Sequence, residues 1–451
     1  MTVAESADLR TLGGFYGEDV PERDLLRACV HCGMCLSSCP TYRITGQEMS
    51  SPRGRLWLMN AVAEERLDLL NPVFDEQMYQ CLNCRACEAV CPSGVHYGPL
   101  VEASRAQLEQ HRPRPAWQRG LRKVTLGWMF ADASRFRLMV GGLRIYQRTG
   151  LASLARRTRI LRLLRLEASE SMMPPIHGKF LISGKEFWRP RRVTHRANLF
   201  NGCIMSTAFA DTNRAAARVM AHNGADVSVP AGQQCCGALA VHSGMMDEAR
   251  TLARQNIESF EAAGDDAIVV TAAGCGAALK EYGFLLKDDP KYAERAIVFS
   301  ARVRDVTEFL ASHELTEPTQ WIERTVTYQE PCHLAHAQRI TAQPRRLMGM
   351  VKGLELVEMR ESSLCCGSAG IYNLIRPQMA NELGDRKVGH ILDTPATEVI
   401  TANPGCHLQL RSVLERKQST VRVRHIVELL DEAYGGEEAA RAGQWAIDRR
   451  V

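Results

Sequence analysis

Every cysteine in this 451-residue chain falls into one of four short patterns, and there are sixteen of them. Two patterns are near-identical runs: CVHCGMCLSSCP with Cys29, Cys32, Cys35 and Cys39, and CLNCRACEAVCP with Cys81, Cys84, Cys87 and Cys91. The other two are looser: Cys203 with Cys235, Cys236 and Cys275, then Cys332 with Cys365, Cys366 and Cys406. Thiol arrays bind soft metals, and a CxxCxxCxxxCP run is the sequence form of a cubane iron–sulfur site. Three cysteines at i, i+3 and i+6 wrap one cluster from a single loop, while the cysteine before proline ligates the neighbouring cluster. The expected sets are Cys29, Cys32, Cys35 and Cys91 for one [4Fe-4S] cluster, and Cys39, Cys81, Cys84 and Cys87 for the other. Zinc, the alternative reading of C-x-x-C pairs, does not account for two full runs that each close on Cys-Pro.

The looser sets repeat at near-constant offsets of 129, 130, 130 and 131 residues, which implies a duplicated unit of domain size. Short β-branched runs precede the cysteines in each copy, as in ANLFNGC, ADVSVP and AIVVTAAGC, then TVTYQEPC, LELVEM and EVITANPGC. Helical stretches such as TNRAAARVMAHNG and RPQMANELGDRKVGHIL lie between them, so each copy reads as a parallel α/β unit. Gly237 and Gly367 close tight Cys-Cys-Gly turns that present two adjacent thiols, and each copy offers four ligands. These suit a further iron–sulfur cluster or a tetrahedral zinc, and buried thiols that merely pack remain the plain alternative. His31, Asn83, His333 and His407 adjoin ligand cysteines and read as hydrogen-bonding neighbours. Arg53 and Arg55, in PRGR, read as positive charge near a cluster or as a solvated helix start. The fold class is an α+β multidomain chain: a mostly helical two-cluster ferredoxin domain, then two tandem α/β CCG domains. Between the two runs, apolar spacing predicts a helix from Pro52, capped by Ser51, reaching Leu70.

The formal net charge of +5 is unevenly spread. Residues 112–165 hold fourteen basic side chains against the single acid Asp132, a local +13, so the remainder carries −8. Proline-rich stretches bound this segment. The expected domains are 1–111 ferredoxin, 112–194 a basic helical connector, 195–320 and 321–440 the two CCG domains, and 441–451 a tail. LASLARRTRILRLLRLE mixes Leu and Arg as an interfacial helix does, so the segment's expected partner is an anionic membrane surface or an acidic subunit. No nucleic-acid motif accompanies the charge. With no secretory leader and no apolar stretch of spanning length, the expectation is a cytoplasmic chain, peripheral at the inner face of the plasma membrane. A reducing compartment keeps thiols free for cluster assembly. No Gly-x-Gly-x-x-Gly opens a helix after a strand, so no FAD or NAD site is expected on this chain.

The strings LRACVHCGMCLSSCPTY, SPRGRLWLM, CLNCRACEAVCPSGVHY, TAAGCGAALKEYG, LCCGSAGIYN and TANPGC resemble the glycolate oxidase (glycolate dehydrogenase) iron–sulfur subunit family. The resemblance covers nearly the whole chain and is weakest between Pro113 and His195. It implies a chain without catalytic residues of its own. Such a chain relays electrons from a separate flavin-binding subunit, which oxidises glycolate to glyoxylate, toward the quinone pool. Related subunits serve lactate or glycerol-3-phosphate dehydrogenases. The CCG domains also resemble heterodisulfide reductase, which implies a rival reading as a CCG-type reductase. That motif ends in C-x-x-C, whereas here Cys275 and Cys406 are followed by Gly-Ala-Ala and His-Leu-Gln.

Overall fold

The computed structural model describes residues 11–449 apart from 131, 159, 164–169, 171 and 442–444. The ferredoxin domain opens on a small hairpin, β1 (Thr11–Leu12) and β2 (Phe15–Tyr16), and is otherwise helical. Ser51 accepts a hydrogen bond from the Gly54 amide at 3.0 Å, and Pro52 occupies the first turn, where an N–H would lack a partner. The helix ends at Ala63 rather than Leu70, because Glu65 turns left-handed at φ 57° and Leu70 is exposed. Helices Pro72–Gln80 and Tyr97–His111 pack against it around Phe15, Met59, Phe74, Met78 and Leu100.

Each CCG domain is built on four parallel strands in the same order. The first uses β4 (His195–Phe200), β5 (Ala225–Ser228), β6 (Ala267–Val270) and β7 (Val303–Asp305), arranged β5-β4-β6-β7. The second uses β8 (Arg324–Tyr328), β9 (Leu354–Leu356), β10 (Glu398–Thr401) and β11 (Arg422–His425), arranged β9-β8-β10-β11. Both orders reverse beside the first strand, and in such sheets the carboxyl ends at that point form a crevice. Cys203, Cys235-Cys236 and Cys275 follow β4, β5 and β6, and Cys332, Cys365-Cys366 and Cys406 follow β8, β9 and β10. Sequence pattern alone does not anticipate β3 (Glu186–Pro190) and β12 (Trp445–Arg449). They extend the first sheet antiparallel, and they come from the stretches read as helical connector and tail.

The helical part of the basic segment runs through Ala116–Arg122, Lys123–Met129, Ala133–Arg148, Leu151–Arg157 and Ile160–Leu163. Residues 159 and 164–167 of its leucine–arginine stretch lie outside the described residues. Asp132 caps the longest helix by accepting from the Ser134 and Arg135 amides at 2.9 Å.

The CCG domains meet reciprocally. Helix Ala273–Lys280, which carries Cys275, packs on the turn His333–Ala337 just after Cys332. In the mirror contact, Phe209, shortly after Cys203, meets the ring of His407 beside Cys406. Helix Ala210–His222 lies on Ile426–Ala433, joined by the Arg218–Asp431 pair and by a Thr212 hydroxyl donating to Glu428 at 2.5 Å. His425 Nε2 donates to the Thr271 carbonyl at 2.8 Å.

The ferredoxin domain docks on both. Glu361 of the second CCG domain binds Arg43 at 2.5 Å and Arg386 at 2.7 Å, and the Arg386 hydrogen bond and the two guanidinium charges hold its carboxyl at about 2. A carboxylate whose folded pKa is depressed stabilises the fold above its ordinary value of 4.5, and that contribution fades as pH falls toward the folded value. Glu361→Gln is therefore expected to unfold at lower urea than the parent at pH 7. The gap should close between pH about 4.5 and about 2, as urea titrations across that range would show.

Candidate metal centres

The two cysteine runs fold alike. His31 and Gly33 in the first, and Asn83 and Arg85 in the second, hold left-handed backbone at matching positions, with φ of 55° and 84°, then 51° and 62°. Non-glycine residues accept that conformation only where the surroundings impose it, and here it turns successive amides toward the sulfurs. The Asn83 amide lies 3.3 Å from Cys81 Sγ, and the Val95 amide 3.5 Å from Cys91 Sγ.

Cys39, Cys81, Cys84 and Cys87 line one small buried cavity together with Arg55, Asn83 and Tyr97. The cysteine before proline in the first run thus stands among the first three of the second. Arg55 is buried and fixed by the Gln77 carbonyl at 2.8 Å and by Thr41 and Gln80 at 3.1 Å. Burial disfavours its charge, but the Cys81 and Cys39 thiols beside it outweigh that and hold it protonated. Arg53 differs: it is exposed, pairs with Glu48 and donates to the His31 carbonyl at 3.2 Å. Burial, then neighbouring thiols, pushes Cys84 and Cys87 well above the ordinary thiol range. Such thiols ionise when a metal supplies the positive charge. Among the described residues, no three Cys, His, Asp or Glu side chains converge as a single chelated ion requires. Thiols spaced around a cavity match ligands on separate corners of a polynuclear cluster.

Cys29, Cys35 and Cys91 sit partly buried on the rim of the ferredoxin core, while Cys32 is exposed. Burial and the nearby Cys29 and Cys39 thiols push Cys35 up. Val30 and Met34 beside them are exposed, at 67% and 57%.

In the first CCG domain Cys236 Sγ is 3.1 Å from Cys275 Sγ, and Cys235 Sγ is 3.8 Å from Cys203 Sγ. Hydrogen bonding to Cys235, then burial, holds Cys203 well up. In the second domain Cys332, Cys365, Cys366 and Cys406 are linked in the same way, with Cys365 and Cys406 raised by hydrogen bonds to neighbouring thiols and then by burial. The turn glycines carry the geometry: Gly367 has φ 89°, and a Cβ there would meet the Ala380 carbonyl at 2.6 Å. All sixteen cysteines are free thiols.

Several residues around these sites carry no spacing signal in the sequence. Lys387 is fully buried, donates to the Ser362 carbonyl at 3.1 Å and also binds the Glu361 carbonyl; burial pulls it down to about 8 against the opposing pull of Cys366 and Cys365. The duplicated position in the first copy is the buried, neutral Asn256, whose Nδ2 donates to the Cys235 carbonyl at 2.9 Å. A second group joins all three domains. Asn83 Nδ2 donates to Glu102 at 2.6 Å and to His242 Nδ1 at 3.1 Å, and His333 Nε2 donates to the Asn83 carbonyl at 2.9 Å. Arg85 binds Glu88 at 3.0 Å and pairs with Glu281. His333, expected as a neighbour rather than a ligand, is placed as one, and so is Asn83. His407 packs its ring on Phe209.

A ferredoxin-type domain with two thiol sets, joined to two α/β domains with a third and fourth, defines an iron–sulfur electron carrier. Family models match in the same order: a 4Fe-4S dicluster domain over residues 25–95, a linker region of glycolate oxidase iron–sulfur subunits over 117–173, and a cysteine-rich domain twice, over 197–280 and 326–411. The chain is similar to the probable glycolate oxidase iron–sulfur subunit of Bacillus subtilis strain 168, at 38% identity over 95% of this chain and 98% of that one. It is likewise similar to the glycolate oxidase iron–sulfur subunit of Escherichia coli K12, at 34% identity over 91% and 94%. The chain belongs to the glycolate oxidase iron–sulfur subunit family. The fold is also shared with a hypothetical protein from Helicobacter pylori, at TM-score 0.52 and 10% identity over 88% of this chain and 70% of that one.

A buried ammonium beside a thiol-held centre stabilises its more reduced, more negative state. Lys387→Met is expected to lower the reduction potential of the second CCG site by about 60 mV, one tenfold step for a single electron. A redox titration followed by electron paramagnetic resonance reads the shift; an unmoved potential would mean that Lys387 does not act on the centre, and no signal from that site that it holds no redox centre.

Proposed function

We propose that this chain is the electron-transfer subunit of a glycolate-oxidising complex, carrying electrons from a flavin-binding subunit to a quinone. Oxidation of glycolate to glyoxylate releases two electrons and two protons, and a bound cubane cluster accepts and passes one electron at a time. Cys29, Cys32, Cys35 and Cys91 would hold the entry centre, at the surface where Val30 and Met34 offer apolar contact to a partner. Cys39, Cys81, Cys84 and Cys87 would hold the next, with Arg55 balancing the arriving negative charge.

One observation carries the reading. Cys84, between Leu82 and Ala86, packs in a single apolar cluster with Cys365, Tyr372 and Leu383 of the second CCG domain, and Cys332 lies against it. Candidate redox centres thus adjoin across the domain boundary with water excluded. Cys84→Ser is expected to remove about four of the eight irons of the two cubanes and to abolish glycolate-dependent quinone reduction by the complex. Chemical iron and sulfide analysis beside the assay checks this, and full iron content in the variant would contradict the ligand set.

No helix among the described residues is long and apolar enough to cross a membrane. The basic segment supplies a surface contact in this reading: Trp117, Trp128, Leu138, Ile145, Leu154 and Leu163 are exposed among its arginines. Near anionic lipid each basic side chain contributes about 1 kcal/mol. The chain is expected to float with anionic vesicles and not neutral ones, and Arg137→Glu should weaken that binding at least fivefold. No flotation with either vesicle assigns the segment to a protein partner instead, and equal flotation with both assigns the binding to its exposed apolar side chains rather than to its charge.

A further inference from the structure

A cavity of about 930 Å³ lies between the ferredoxin domain and the first CCG domain. Its lining includes Cys236 and Gly274 of the first CCG domain, His333 of the second, and Arg85 and Glu102 of the ferredoxin domain. The Cys236 thiol of the third candidate centre therefore borders this space, and so do Glu102, His242 and His333, the hydrogen-bond partners of Asn83. Leu12, Val20, Leu25, Leu100, Val241 and Met246 make the walls largely apolar. The volume is in the range of small-molecule sites and far beyond what a two-carbon hydroxy acid needs.

Charge narrows the ligand class. Of the five Arg and Lys side chains along the cavity four are paired, Arg250 with Asp19, Arg254 with Asp289, Lys287 with Glu22, and Arg85 with Glu88 and Glu281. The exposed Arg23 is outweighed by eight Asp and Glu side chains in the same lining. The helix Met246–Glu261 presents Asp247 and Glu248 in its first turn, so this helix end repels anions. A phosphate-bearing or carboxylate ligand finds no complement in these groups, whereas a neutral, largely apolar molecule with a few hydrogen-bond acceptors does.

We infer that this cavity binds a quinone, with its ring at the Cys236 end and its tail along the apolar walls, within reach of Glu281 and His242. The inference rests on the electron-relay reading above and gives that relay its exit. Reduction takes two electrons, delivered singly from the thiol-held centres after oxidation of the hydroxy acid, and two protons, giving the quinol; no other reactant is needed. Glu281 is placed to supply one proton, since its side chain lines the cavity. Burial and the nearby Glu102 and Glu88, opposed by Arg85, push it up to about 7, so a proton is available there near neutral pH. His242, held between Asn83 and Glu102, lines the same cavity.

The test uses the assembled complex with decylubiquinone and menadione as probes. Ala103→Trp projects an indole into the cavity from the helix Tyr97–His111. It is expected to weaken probe binding, measured by calorimetry, by about tenfold or more, with iron content equal to the parent. Glu281→Gln is expected to keep probe binding but lower kcat for quinone reduction by about a hundredfold at similar KM. Unchanged binding in Ala103→Trp, or an unchanged kcat in Glu281→Gln, overturns the site assignment. Failure of the relay reading looks different: glycolate then leaves the clusters of the complex oxidised, as seen by electron paramagnetic resonance without any quinone.

Discussion

Asn83 ties the three domains into one body. Its amide rests on the Cys81 sulfur, its side chain bonds Glu102 in its own domain and His242 in the first CCG domain, and its carbonyl receives His333 of the second. Each of these groups is removed from bulk water, where an unmade hydrogen bond costs about 1–3 kcal/mol. The bonds therefore fix the domains relative to one another as firmly as they fix the loop. The left-handed backbone at Asn83 is what allows one residue to face in so many directions. Thiol sets that must lie close for electrons to pass thus depend on a residue that ligates nothing.

Much of this architecture can be read from the chain because thiol ligation is strict in spacing. The two CxxCxxCxxxCP runs locate the ferredoxin domain, and the offset near 130 residues locates the duplicated sheets, whose β4, β5, β6, β8, β9 and β10 fall on the β-branched runs. What stays hidden is non-local. Glu281 meets Arg85 across 196 positions, and His242 meets Asn83 across 159. No periodicity couples residues that distant. Lys387 sits at an interior position of its helix, where a cation breaks the apolar pattern and reads as a surface residue until its fold is known. The strands β3 and β12 are invisible for a related reason: they complete a sheet edge whose need for cover arises only once the sheet exists.

Duplication has left two sites with one backbone and two environments. Around the second CCG set stands the Lys387 ammonium; around the first, the neutral Asn256 takes that place and Cys236 lines a cavity. Identical ligands with different surroundings hold electrons with different strength, because local charge and solvent access set the energy of the reduced state. In the proposed relay, a pair of equivalent sites would give electrons no direction, and the divergence would supply one.

The difference in burial between the two ferredoxin runs bears on how the molecule is made. Cys39, Cys81, Cys84 and Cys87 are enclosed by the second CCG domain, whereas Cys32 stands at the surface. With the proposed ligand sets, iron and sulfide would have to reach the enclosed site before the domains close over it. Maturation would then be ordered from the inside outward, with the inner site filled during folding and the outer one left open at the surface.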